Sequence, residues 1–335
     1  MKVLRCLAVS VLLLLPALTP STVLALDNGS GWRAVSEGRL TVRFRGPSDV
    51  LAIQVLERAG IFLEDTSQFL GLPWLNPYVI VIAGSRDEFV KLQPTVVPAP
   101  EWAGALTYPE LGMVLIMTPG SMETGGIRYW SLLQHEMAHL LLGDAESRYG
   151  TRFPRWFHEG IATYVSGEMN LSRLIQLGWA QATGDTPDFR DLEYTFPEQP
   201  SRAGAAYARS YLFIKYLSRR FGEDAVARLI ADSLAKGGLG RGVGSAFNMS
   251  LAELLKGFDQ YARVKATWIP VITSTATIWG VITFLFFVTW YRKKIQGLRT
   301  IQRWDLEEEE ERLAASLHRR SVHEKRSHEE KRTLH

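Results

Sequence analysis

The sequence predicts an α+β fold: an α/β half, then an all-helical half, then one apolar segment. Three observations predict it. Strand-like apolar runs are confined to the first part of the chain, at 39–44, 77–85 and 105–117. Helical apolar spacing takes over from residue 127 onward. Residues 268–290, "WIPVITSTATIWGVITFLFFVTW", run for 23 residues without a charge.

Taken in order, the chain opens with Met1-Lys2, Arg5 and a short apolar core ending in Val23-Leu24-Ala25. A basic start, an apolar middle and small residues at the exit have the form of a secretory signal peptide, cleaved after Ala25. "RLTVRF" (39–44) alternates like a half-buried strand, and 47–72 has helical spacing behind Pro47-Ser48. A strand at 77–85 and a short helix at 85–93 follow. Residues 105–117 read as two strands turning at Pro109-Glu110, and 127–142 as a helix. Further helices are expected at 155–167, 171–182, 205–222, 223–237 and 250–264. An α/β lobe over 33–150 thus meets a helical lobe over 151–265, with the helix at 127–142 at their junction.

The segment 268–290 is long enough to cross a hydrocarbon core of roughly 30 Å at about 1.5 Å per residue. Trp268 and Trp290 stand at its ends, and Tyr291-Arg292-Lys293-Lys294 follow at once. The positive-inside rule makes that end cytoplasmic. The expected topology is 26–265 outside the cytoplasm, one transmembrane helix at 268–290 in the lipid bilayer of the cell membrane, and a charged cytoplasmic tail over 291–335. The tail is too charged to form a core, and its partner is unknown.

The 335 residues are 46% apolar and 22% charged, with net charge +3. So small a charge argues against a nucleic-acid partner held by bulk electrostatics. The only cysteine, Cys6, lies in the leader. Any metal must therefore be held by His, Asp or Glu.

"LLQHEMAHLLLG" (132–143) contains His135-Glu136-x-x-His139. Residues four apart on a helix share a face, about 40° apart around the axis, so both imidazoles can take corners of one tetrahedral Zn2+ site. Glu136 stands beside them, placed to accept a proton from water. Of seven histidines, four lie in the tail; the outer region keeps only His135, His139 and His158. A third ligand is needed, and "WFHEGIATY" offers the adjacent His158 and Glu159. They point about 100° apart on a helix, so only one can face the metal.

HExxH followed by Glu159 in the setting W-F-x-E-G-x-A-x-Y resembles the gluzincin metallopeptidases, most closely the peptidase MA-like group of bacterial proteins. "AAYARSYLFIKYLSRRFG" and "MSLAELLKGFDQY" add to the likeness, which covers about residues 33–264. The resemblance implies a zincin-like fold: a small mixed sheet with the HExxH helix, an all-helical second lobe, and the active site between them. It implies His135, His139 and Glu159 as zinc ligands and Glu136 as general base and then acid. It implies an oxyanion donor from the helical lobe, with Tyr207 as candidate and Tyr164 and Tyr211 behind it. It also implies that the edge strand before the motif helix, "GMVLIM" (112–117), binds the substrate backbone by strand addition.

Two departures stand out. Thr163 occupies the position, one turn after the Glu ligand, where some gluzincins carry the carboxylate that orients a histidine, so that partner must come from elsewhere. "GSMET" (120–124) is too close to His135 to serve as an amine anchor, so Glu123 reads as loop surface and endopeptidase action is favoured over aminopeptidase action. The expected function is a membrane-tethered zinc metallopeptidase cutting peptides or proteins outside the cytoplasm. The alternative is a peptidase-like receptor or scaffold that binds without turnover and signals through the tail.

Overall fold

The computed structural model describes residues 23–25, 31–94, 103–122, 126–273, 277, 279–296 and 312. The leader over 1–22, Glu123 and nearly all of the tail beyond 296 lie outside the described residues. The chain divides into two units, 1–270 and 271–335.

The first unit begins with a six-stranded mixed sheet. Its strands are β1 (Val23–Ala25), β2 (Arg33–Glu37), β3 (Leu40–Phe44), β4 (Tyr78–Ala83), β5 (Ala105–Tyr108) and β6 (Met113–Met117), in the order β1-β2-β3-β4-β6-β5. β3, β4 and β6 are parallel to one another, and the flanking strands are antiparallel. Central parallel strands are covered on both faces and read as unbroken apolar runs, as in "YVIVIA" and "MVLIM". β3 alternates instead, with Leu40, Val42 and Phe44 inward. β2 and β1 are additions to the expected strands. Val23–Ala25, where the sequence places a cleavage site, pairs with β2 in the uncut chain.

The sequence expectation for the sheet edge is corrected. β6 over 113–117 is paired on both sides, with β4 and β5, and is not an edge. Among the described strands the edge on this side is β5, because the turn at Pro109–Leu111, closed by Gly112 at φ 58°, folds the chain back as a hairpin on the outer side.

Helix α1 (Asp49–Leu70) links β3 to β4, burying Ala52, Val55, Leu56, Ala59 and Leu63 at helical spacing and stopping at left-handed Gly71. α2 (Arg86–Lys91) starts at Ser85, whose hydroxyl accepts from the Glu88 N–H. α3 (Gly126–Tyr149) carries the HExxH motif and is longer than predicted at both ends. It has two buried sides. Leu133, Met137 and Leu140 pack with α1 onto the sheet, while Ala138, Leu141, Leu142 and Ala145 join the core of the helical lobe. With those two sides taken, the stripe bearing His135, Glu136 and His139 is left for the cleft.

The helical lobe comprises α4 (Arg155–Ser166), α5 (Leu171–Thr183), α6 (Pro200–Phe221), α7 (Ala225–Lys236), α8 (Leu239–Phe247) and α9 (Leu251–Thr273). Trp156, Phe189, Phe213 and Phe258 form an aromatic centre with ring centroids 4.1–5.7 Å apart. α8 is an addition to the expected helices; three glycines in "LGRGVGSAF" hide its helical spacing.

Of the expected span at 268–290, residues 268–273 continue α9 and 279–290 belong to a helix over 279–296, while 274–276 and 278 lie outside the described residues. Among the described residues no helix is long and apolar enough to cross a membrane. The longest described run there, 279–296, carries Arg292, Lys293 and Lys294 near its end. Its large side chains, from Trp279 through Phe284 and Phe287 to Trp290, are exposed.

Candidate metal centre and active site

α3 presents His135 and His139 one turn apart, with their Nε2 atoms 3.0 Å from each other. α4 brings Glu159 against both. Its Oε2 lies 3.4 Å from His135 Nε2 and 3.7 Å from His139 Nε2. The three residues form a group that could hold a metal ion, each offering one ligand atom within 4.8 Å of the others. Zinc bonds of about 2.0–2.2 Å in a tetrahedron put neighbouring donor atoms about 3.3–3.6 Å apart. The three separations bracket that spacing.

Glu159 Oε2 is buried and accepts no hydrogen bond among the described residues. An orphaned buried carboxylate oxygen is costly unless something cationic meets it. The other oxygen, Oε1, has Arg155 Nε at 3.4 Å, so the carboxylate is divided between a guanidinium on one side and the histidine pair on the other. Burial opposes ionisation of Glu159, but His135 and His139 outweigh it and hold the carboxyl well below its usual range. Burial likewise lowers the His135 pKa, but the carboxylates of Glu159 and Glu168 more than reverse this and push it up to about 10. The pocket is built for positive charge, which a divalent cation would supply in place of the proton.

The adjacent His158 and Glu159 part as helical geometry requires. His158 Nε2 lies 2.9 Å from Glu146 Oε1, and its ring stacks beside His139 at 5.7 Å. Glu146 also accepts from the Phe153 N–H, so it ties α3 to the entry of α4. Arg155 and Trp156 N–H groups donate to the carbonyls of Glu193 and Leu192 and fix that entry further. Gly160 sits where α6 crosses: a Cβ there would stand 2.6 Å from the Ser210 carbonyl oxygen.

Glu136 is buried, lines the cleft and stays outside the ligating group. The Thr107 hydroxyl, on edge strand β5, donates to its Oε2 at 2.5 Å. Sequence reasoning missed Thr107, since nothing local links residue 107 to residue 136. It also left the partner of His135 open. Glu168 fills that place, with Oε2 3.2 Å from His135 Nδ1, an ion-pair approach rather than an aligned hydrogen bond. Left-handed Gly167 ends α4 and turns the chain so that the next residue faces the histidine. A carboxylate directly after a helix-stopping glycine was the available signal. Burial resists the charge on Glu168, but His135 and Arg173 prevail and lower its pKa.

Tyr207 lines the same cleft, on α6, whereas Tyr164 and Tyr211, a tilted ring pair with centroids 5.7 Å apart, do not line it. The Tyr207 ring is covered by the Arg173 guanidinium at 4.7 Å. Burial, followed by the charge of Glu159, pushes its pKa upward, so the hydroxyl stays protonated. The cleft holds about 2160 Å3, room for an extended polymer rather than a single small molecule. Its lining includes residues of β5, whose outer edge pairs with no other strand among the described residues.

An uncharacterized Bacillus subtilis (strain 168) protein, YhcO, is 29% identical over 138 residues, which is 39% of this chain and 41% of the relative. The matched stretch thus spans less than half of that relative. Among solved structures, a native yeast LTA4 hydrolase is similar over 72% of this chain and 38% of its own, at 13% identity and TM-score 0.39. A mutant M1 zinc metallopeptidase from Deinococcus radiodurans is similar over 72% of this chain and 51% of its own, at 17% identity and TM-score 0.36. At these TM-scores neither likeness says anything about mechanism. The sequence profile of the Peptidase MA superfamily, by contrast, matches residues 70–263, more than half of the chain and a range that includes every residue of the His–His–Glu group. The chain belongs to the Peptidase MA superfamily.

Proposed function

We propose that the protein is a zinc-dependent metallopeptidase of the gluzincin type, acting as an endopeptidase outside the cytoplasm and tethered to the cell membrane through 268–290. The observation that carries the catalytic reading is the convergence of three ligating atoms within 4.8 Å beside a buried carboxylate, Glu136, that is not one of them. His135, His139 and Glu159 would hold the ion. Zinc bound there would polarise the scissile carbonyl and make water a better acid.

The chain's own residues do the rest. The Glu136 carboxylate takes a proton from the attacking water and returns it to the leaving nitrogen. The Thr107 hydroxyl fixes the rotamer of Glu136 by its hydrogen bond to Oε2. Tyr207, kept protonated by burial, donates to the oxyanion. The edge of β5, which no described strand covers, pairs with the substrate backbone, and the open cleft lets a chain extend to both sides of the site, which favours endopeptidase action. Tethering rests on the 23 uncharged residues flanked by Trp268 and Trp290, with four polar or basic residues directly after.

The test is mass-spectrometric peptide mapping of a protein digest by the zinc-loaded full chain, beside Glu136→Gln. Internal cuts that vanish in the variant, with zinc still bound, are the expected result. Uncut substrate from zinc-loaded wild type would overturn the enzymatic reading.

A further inference from the structure

We infer that the helical lobe carries a binding site for an anionic phospholipid, in a groove between α5, α6 and α9 that is separate from the catalytic cleft; this rests on the membrane-tether reading above. Each helix gives the groove one stripe: Leu174 and Leu177 from α5, Leu212, Lys215 and Arg219 from α6, Tyr261 and Lys265 from α9. None of these residues lines the catalytic cleft. Leu177 and Leu212 are buried and make an apolar floor, while Arg219 and Lys265 are exposed at the rim. The groove holds about 200 Å3, on the order of seven water volumes at about 30 Å3 each. That accommodates a phosphate and the first methylenes of an acyl chain.

The charge pattern selects the occupant. α6 has five cations and no acidic residue over its 22 residues, and α5 has Arg173 as its only charge. Lys215, Arg219 and Lys265 have no carboxylate partner among the described residues, although nine pairs of Arg with Asp or Glu and of His with Glu are formed elsewhere in the same unit within 3.4 Å. Lys215 and Lys265 instead lie near the rings of Tyr211 and Tyr261, at 5.6 and 6.0 Å. An apolar floor rimmed by three cations without carboxylate partners fits an amphiphile with an anionic head. Position supplies the lipid. Lys265 is three residues before Trp268 on the continuous helix α9, about 4.5 Å along its axis, and the uncharged stretch begins there. On the tether reading, the groove's Lys265 therefore lies next to the start of the proposed span.

Each basic residue near an anionic bilayer surface adds roughly fivefold in affinity. The experiment uses the full chain in nanodiscs of phosphatidylglycerol or of phosphatidylcholine, read by amide hydrogen exchange over 171–180, 211–220 and 258–266. Slower exchange in all three segments with phosphatidylglycerol, roughly fivefold or more, is expected. The variant Lys215→Gln/Arg219→Gln/Lys265→Gln should lose that difference, and Lys215→Arg/Lys265→Arg should keep it. Equal exchange in the two lipids, from chain embedded in both, overturns the lipid site and leaves the tether standing. Chain that embeds in neither nanodisc overturns the tether and the lipid site together.

Discussion

At the residue scale, the site is an arrangement of carboxylates around two imidazoles, and each carboxylate has a separate task. Glu168 meets Nδ1 of His135, the nitrogen facing away from Glu159. Such outer partners fix the tautomer and ring orientation of a ligand, and their loss costs about 10–100-fold in metal affinity. Glu168→Ala should therefore weaken zinc binding by that factor in a chelator competition, with Glu168→Gln falling between it and wild type. An unchanged affinity would remove Glu168 from the site. The same charges set a pH dependence for the metal-free protein. The His135 pKa is raised from about 6.5 to about 10. Its contribution is fully present below the unfolded value and is lost as pH rises through 10. Those of Glu159 and Glu168, whose pKa values are lowered, are present above about 4.3 and lost as pH falls. The melting temperature of chelator-stripped protein should thus decline between about pH 6.5 and 10, and zinc should abolish that decline because the ion binds the unprotonated imidazole. A flat profile without metal would contradict the ion-pair geometry.

At the element scale, two crossings decide where the site residues point. α4 approaches α6 so closely at Gly160 that only hydrogen fits against the Ser210 carbonyl. Gly160→Ala must push the two helices apart, and overpacking of this kind costs about 1–3 kcal/mol. Because Glu159 is the neighbouring residue, the separation also moves a proposed ligand. We expect a lower melting temperature together with weaker zinc binding, measured by calorimetry with and without metal. A loss of stability with unaltered zinc affinity would show that α4 shifts without carrying Glu159. The second crossing is the β5–β6 hairpin, which sets Thr107 over Glu136. That hairpin also makes β5, rather than β6, the edge strand on this side among the described residues, and so the one proposed to pair with a substrate.

At the scale of the whole molecule, α3 joins the two lobes by contributing to both cores, so the cleft lies along the one stripe of that helix left uncovered. The tether reading makes a prediction at this scale. The full chain should sediment with membranes and resist salt extraction, and removal of 268–290 should release it while leaving zinc content unchanged. A full chain that fractionates with soluble protein would dispose of the tether without touching the zinc site.

The sequence by itself determined the lobe order, the helix bearing His135, Glu136 and His139, and the choice between His158 and Glu159 as one that only a single residue could win. Those features follow from helical periodicity and from side chains three or four residues apart, which local geometry fixes. Only the tertiary structure decided which strand is the edge, that Thr107 holds Glu136 across 29 residues, and that Glu168 supplies the carboxylate missing at Thr163. Strand order depends on which side of a sheet a hairpin folds back upon, and a side chain's distant partner depends on how helices cross. Neither leaves a periodic mark in the chain, because both are settled by packing between segments rather than within one.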